Sequence, residues 1–325
     1  MHYRLLGRTG VQVSQLCFGT MSFGGDADEA TSASMYKAVR DAGINFFDCA
    51  NEYNKGASEE ILGRLAKGHR DDLVLTTKVN AQIRPDVNAR GTSRRHMVQA
   101  IEACLKRLQT DRIDVLFLHR YDALVPIDES MRGLEDLVRA GKVIYPAVSN
   151  WSAWQTQRAV DIQERHNWAR LQVVQPMYNL VKRQAEVEIL PMAQDNGIGV
   201  IPYSPAAAGL LSGKYFGQAS GRLKTNKMYE ARYGDDWMFE VAERYVAFCK
   251  AKGLHPVSTA IAWVAAHPAV TAPIIGARNL EQLKDSLASV DVKMTPELRA
   301  EIADLSRTPA PATDRSEELR VVKAA

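Results

Sequence analysis

The chain has 325 residues, 46% hydrophobic and 24% charged, with 21 Gly and 13 Pro, which excludes a disordered or collagen-like polymer and provides for a sizeable core. A formal charge of +3 is too small to argue for nucleic acid. Four dispersed cysteines without a C-x-x-C pair point to reduced thiols rather than a disulfide framework or a zinc cluster.

In chain order, residues 3–6 and 11–15 flank Gly7-Arg8-Thr9-Gly10 and predict a β-hairpin closing the bottom of a barrel. The start lacks the apolar core of a signal peptide, so a cytoplasmic protein is expected. Short apolar runs at 16–20, 45–47, 73–77, 115–118, 143–148, 171–174, 198–202 and 270–275 read as strands. Amphipathic segments separate them. Thr92-Ser93 precedes Met97, Ile101, Leu105 and Leu108, one face of a capped helix. Gly43, Gly141 and Gly197 stand where helices should stop before the next strand. Residues 253–277 lack Asp, Glu, Lys and Arg, but Pro256, Pro268 and Pro273 break the stretch. It therefore predicts a short buried helix, a turn and a strand rather than a membrane span. Eight strands alternating with helices favour one α/β domain, a (β/α)8 TIM barrel over residues 1–325, with a long loop at 206–236 after strand 7. Residues 308–325 read as a mobile or folded-back tail.

A polar residue closes nearly every strand: Asp48, Lys78, His119, Asn150, Gln175 and Tyr203. In such a barrel these ends share the face that carries active sites. Tyr53, five residues after Asp48, is a candidate proton donor to a carbonyl, with a neighbouring Lys78 expected to lower its pKa. Asp48 would orient Lys78, and His119 would hydrogen-bond the carbonyl oxygen. Gly276 and Arg278 follow the last strand and open a helix, a place suited to an anion. G-x-G-x-x-G, a P-loop, H-x-H, H-E-x-x-H and G-x-S-x-G are all missing, so no Rossmann fold, metal centre or serine hydrolase is expected.

The sequence also strongly resembles the aldo-keto reductases. The resemblance rests on Leu6-Gly7-Arg8-Thr9-Gly10, Phe18-Gly19-Thr20-Met21, Asn45-Phe46-Phe47-Asp48 with Tyr53, and Glu59-Glu60-Ile61-Leu62-Gly63. It continues in Asp114-Val115-Leu116-Phe117-Leu118-His119-Arg120, Val148-Ser149-Asn150, Gln175-Pro176-Met177-Tyr178-Asn179-Leu180, Tyr203-Ser204-Pro205 and Gly209-Leu210-Leu211-Ser212-Gly213-Lys214. It implies a barrel that binds NADPH in extended form, with NADH as a second option, and reduces an aldehyde or ketone. Tyr53 would be the general acid, with Asp48, Lys78 and His119 completing a tetrad. Thr20, Met21 and Asp48 would also meet the cofactor. Ser149, Asn150 and Gln175 would hold its carboxamide, and Tyr203 would stack on its nicotinamide. Ser204, Leu210, Ser212 and Lys214 would hold the pyrophosphate, with Arg222 as a clamp. Gly276, Arg278 and Gln282 would hold the adenosine end. Phe23 and Trp151 would join Tyr53 and His119 at the substrate, a small carbonyl compound. Ala206, Ser286 and Arg278-Asn279 depart from the family's usual residues at the cofactor's far end. Two other readings are a redox-sensing regulatory subunit similar to the potassium-channel β subunits and a metal-dependent barrel hydrolase. Assembly into a homo-oligomer is left open.

Overall fold

A computed structural model describes residues 1–82, 84–216 and 227–313. Strands β1 (Tyr3–Leu5) and β2 (Gln12–Ser14) form the predicted antiparallel hairpin. Eight further strands form one parallel sheet: β3 (Cys17–Gly19), β4 (Phe46–Asp48), β5 (Val74–Val79), β6 (Ile113–Leu118), β7 (Val143–Ser149), β8 (Val173–Gln175), β9 (Gly199–Val200) and β10 (Ile274–Ile275). From β3 to β9 each strand pairs with the next in sequence, and β10 pairs with β3. Thr271 N–H donates to the Val200 carbonyl at 2.8 Å and Ile274 N–H to that of Pro202 at 2.8 Å, closing the sheet into the predicted (β/α)8 barrel.

The last two strands are shorter than the sequence suggests. Pro202 and Pro273 lack the N–H that a continuous ladder needs, so pairing there is broken into separate contacts. Lys78 lies inside β5 rather than after it, because β5 runs on to Val79.

Side-chain alternation sorts the strands into two cores. Cys17, Phe46, Val115, Phe117, Ala147, Val173 and Ile274 pack together inside the barrel, plugged from below by Leu6 and Val13 of the hairpin. Their neighbours Phe18, Phe47, Leu116, Val148, Val174 and Ile275 pack outward against the helices. The hairpin sits tightly: a Cβ on Gly7 (φ +54°) would fall 2.8 Å from the Gly199 nitrogen. Arg4 then fastens it by donating to the carbonyls of Ala265 and Val270 at 2.9 and 3.0 Å.

The predicted helix after Ser93 spans Arg94–Leu108 and buries Met97, Ile101, Leu105 and Leu108. Gly197 ends the helix Ile189–Asn196 in the left-handed conformation, as expected. Residues 253–277 hold a helix at Pro256–Ala265 that starts on its proline, and no described helix is long and apolar enough to cross a membrane. The predicted loop 206–236 is a different matter. Its described parts are ordered, with tight turns over Ala207–Ser212 and an α-helix at Lys227–Tyr233. Polar and glycine-rich composition concealed the i, i+4 pair Tyr229 and Tyr233, whose burial holds that helix down. The predicted clamp Arg222 and most of the tail lie outside the described residues.

Helix Ala57–Ala66 is tied to the barrel by Glu59, which is fully buried. It accepts from Thr77 Oγ1 on β5 and from Arg107 Nε at 2.7 Å. Removing one partner of a buried pair strands the other charge. Glu59→Ala should therefore cost about 3–5 kcal/mol in urea unfolding. Asp41→Ala, which breaks the exposed Lys37–Asp41 pair, should cost less than about 0.5 kcal/mol.

Candidate active site

The inward parity of the strands, carried to their C-terminal ends, delivers the polar side chains. Two residues after Phe46 comes Asp48, after Phe117 His119, after Ala147 Ser149, after Val173 Gln175, and after Ile201 Tyr203. Apolar layers fill the barrel below, and the next layer up is polar.

At its centre Lys78 is fully buried and Asp48 is 2% exposed. Lys78 Nζ donates to Asp48 Oδ2 at 2.6 Å, to the Cys49 carbonyl at 2.7 Å and to Tyr53 Oη at 3.1 Å. All three ammonium protons therefore have acceptors. The second carboxylate oxygen of Asp48 accepts from Thr76 Oγ1 at 2.8 Å and Gln175 Nε2 at 2.9 Å. Burial alone would lower the Lys78 pKa, but Asp48 and Tyr53 reverse this and hold it above its ordinary value.

The Tyr53 pKa runs opposite to the sequence expectation. Burial raises it well above its ordinary value, and the opposing pull of Lys78 is the smaller effect. Tyr53 is thus a protonated phenol at neutral pH, and since its oxygen accepts from Lys78, its own O–H remains to be given. His119 lies edge-on to Tyr53 with ring centroids 6.2 Å apart. Its pKa is pushed down to about 2 by burial, then by the charges of Lys78, Arg120 and Arg232, so the imidazole is neutral. Its Nδ1 lies 3.2 Å from Glu52 Oε1.

Above these groups opens a cavity of about 440 Å³. The predicted Met21, Asp48, Tyr53, His119, Ser149, Asn150, Gln175, Tyr203, Ser204, Ser212, Lys214, Gly276, Arg278 and Gln282 all line it. Ser149 Oγ donates to the Gln175 carbonyl at 2.9 Å, and Tyr203 Oη to Asn150 Oδ1 at 2.7 Å. Asn150 Nδ2 in turn donates to the His119 carbonyl at 3.0 Å, so the strand ends form one network. At the far end Asn279 caps the helix Leu280–Leu287, and Gln282 Oε1 accepts from the Arg278 N–H at 3.2 Å. Between the ends, Ser204, Ala207 and Ala208 hold φ of +58°, +50° and +54°, a strained turn that lines the cavity at Ser204 and Ala208. The cavity thus joins a proton-donating end to an end with cations and backbone turns suited to phosphates, which fits an extended dinucleotide.

Four predicted residues stand elsewhere. Phe23 is fully buried against Phe18, centroids 5.8 Å apart, and does not line the cavity. Trp151 is also buried, edge-on to Tyr121 at 5.2 Å, and lies off the lining. Both large rings lie in the core instead of forming a substrate wall, where they bury more apolar area. Thr20 lies beneath the floor, donating to the Asp48 carbonyl at 3.1 Å. The Leu210 side chain is fully buried in the core, which leaves its main chain for any ligand.

Sequence reasoning missed Arg232 and Tyr229, which line the cavity from the helix Lys227–Tyr233. Tyr233 joins that helix to the site: Asn179 Nδ2 donates to Tyr233 Oη at 3.1 Å and to the Ser204 carbonyl at 2.9 Å. The signal was the spacing of Tyr229, Arg232 and Tyr233, one helical face.

Comparisons with known proteins agree with this architecture. A sequence model of the aldo/keto reductase family matches residues 15–307. An uncharacterized oxidoreductase of Bacillus subtilis (strain 168) is 39% identical over 94% of this chain and 96% of its own length. A probable voltage-gated potassium channel subunit beta of Oryza sativa subsp. japonica is 35% identical, covering 92% of this chain and 94% of that protein. Versiconal hemiacetal acetate reductase of Aspergillus parasiticus is 32% identical, covering 91% and 94%.

The depressed His119 pKa has a measurable consequence. In the unfolded chain a histidine titrates near ~6.5. The native state refuses that proton, so the stability from neutral His119 is full above about 6.5 and is lost as pH falls. Between pH 7 and pH 5 the wild type should lose about 2 kcal/mol more than His119→Gln, measured by urea unfolding at both pH values.

Proposed function

The chain belongs to the aldo/keto reductase family, and on that premise we propose that it reduces an aldehyde or ketone to an alcohol with Tyr53 as the proton donor. The observation that carries the reading is Lys78 Nζ, buried within hydrogen-bonding distance of both Asp48 and Tyr53, which line the cavity. A nicotinamide cofactor, when bound, supplies the hydride for the carbonyl carbon.

The chain's own residues handle the oxygen. Tyr53 passes its phenolic proton to the oxygen as negative charge develops there. The phenolate left behind is stabilised by Lys78, whose charge Asp48 maintains. Neutral His119 offers one N–H to the same oxygen and helps orient the carbonyl. Ser149, Asn150 and Gln175 would hold the carboxamide, and Tyr203 would flank the nicotinamide ring. The donor set at the other end favours NADPH. Ser204, Ser212 and Lys214 would meet the pyrophosphate, and Gly276, Arg278 and Gln282 the adenosine side, with Arg278 pairing a 2′-phosphate.

A second reading follows from the similarity to the rice protein, whose name is that of a channel β subunit. On it, this chain would bind NADPH tightly and report its redox state with little turnover.

Oxidation of NADPH with a panel of carbonyls separates the two. Wild type should turn over, and Tyr53→Phe should lower kcat by about 10²–10⁴ while cofactor binding persists. Tight binding without turnover on any carbonyl would sink the reductase reading. Arg278→Ala should raise the KM for NADPH about tenfold more than that for NADH. Equal effects on the two would remove Arg278 from the 2′-phosphate.

A further inference from the structure

Arg232 belongs to none of the roles above. It is half-buried on the helix Lys227–Tyr233 and lines the cavity. Its guanidinium carbon lies 5.9 Å from the ring centroid of Tyr203 and 5.8 Å from that of Tyr229. Among the described residues it has no carboxylate within 4.0 Å. The neighbouring cations differ. Lys78 is held by Asp48, Arg120 by both oxygens of Glu52 at 2.9 and 3.2 Å, and Arg278 by Asp26 at 3.4 Å.

We propose that the substrate is a carbonyl compound carrying an anionic group, a carboxylate or a phosphate, and that Arg232 binds that group. The inference rests on the carbonyl-reduction reading. A half-buried guanidinium without a counter-ion among the described residues is poorly compensated by tyrosine faces alone. Near two aromatic rings rather than on a carboxylate, it has N–H donors to offer a bidentate anion. The location is the reacting end. Arg232 sits over the ring of Tyr203, whose hydroxyl donates to Asn150, and it lines the same cavity as Tyr53 and His119, so a bound anion shares that cavity with the carbonyl. Glu52 neutralises Arg120, which also lines the cavity, and this leaves Arg232 to set the preference.

Matched aldehydes test this: 4-formylbenzoate, 4-formylphenyl phosphate and the neutral methyl 4-formylbenzoate, each with NADPH. In the wild type at least one anion should exceed the ester in kcat/KM by about tenfold, through KM. The two anions distinguish a carboxylate from a phosphate site. Arg232→Met should bring that ratio to within about twofold of unity, and Arg232→Lys should keep most of it. An unchanged ratio in Arg232→Met overturns the proposal. So does a variant that loses NADPH affinity while the substrate ratio stays, because the guanidinium then belongs to the cofactor. If the wild type turns over none of the three, the broader carbonyl panel tests the reductase reading. Calorimetric titration of terephthalate into the NADP⁺-loaded proteins then decides the anion site. About tenfold tighter binding to wild type than to Arg232→Met supports it, and equal binding rejects it.

Discussion

The site depends on one buried ion pair, Lys78 with Asp48. Withdrawing two charges from water costs several kcal/mol per ion, and only excellent geometry with further hydrogen bonds offsets it. Here every ammonium proton has an acceptor, and both carboxylate oxygens are engaged by at least one donor. The pair spans β4 and β5, and Gln175 of β8 reaches the same carboxylate across the barrel. The charge that a reacting oxygen would meet is therefore fixed by the sheet itself. No side chain has to reorganise to supply it.

Burial shifts the two titratable neighbours of that pair in opposite directions. Burial keeps the Tyr53 phenol protonated despite Lys78, while burial and cations together keep the His119 imidazole neutral. One group is an acid holding its proton, and the other is a neutral polar partner that does not compete for it. Separating the two in this way is how a single pocket runs proton transfer at neutral pH.

Much of this was legible in the sequence because apolar strands end in polar residues, and in a barrel those ends share one face. That placed Asp48, Lys78, His119, Asn150, Gln175 and Tyr203 together before any contact was known, while the inward parity that also brings in Ser149 emerged only with the structure. Less legible was anything set by burial. Charge proximity suggested a lowered Tyr53 pKa, but desolvation dominates, and its extent is a property of the closed barrel. Phe23 and Trp151 read as an aromatic wall because composition does not reveal which way a loop ring turns; both went to the core. Residues 206–236 read as an open loop because Gly, Ser and Lys mask a short helix. Arg232, which the cavity exposes, was lost with it.

On the proposed reading proton delivery rests on Lys78 acting through Tyr53, and a double-mutant cycle on carbonyl reduction tests that coupling most directly. Tyr53→Phe, Lys78→Met and the double variant, each checked for folding by circular dichroism, would be compared in kcat. If the two side chains act as one unit, the double variant is no slower than the worse single variant. Additive losses, or a Lys78→Met variant that keeps wild-type turnover, would contradict it.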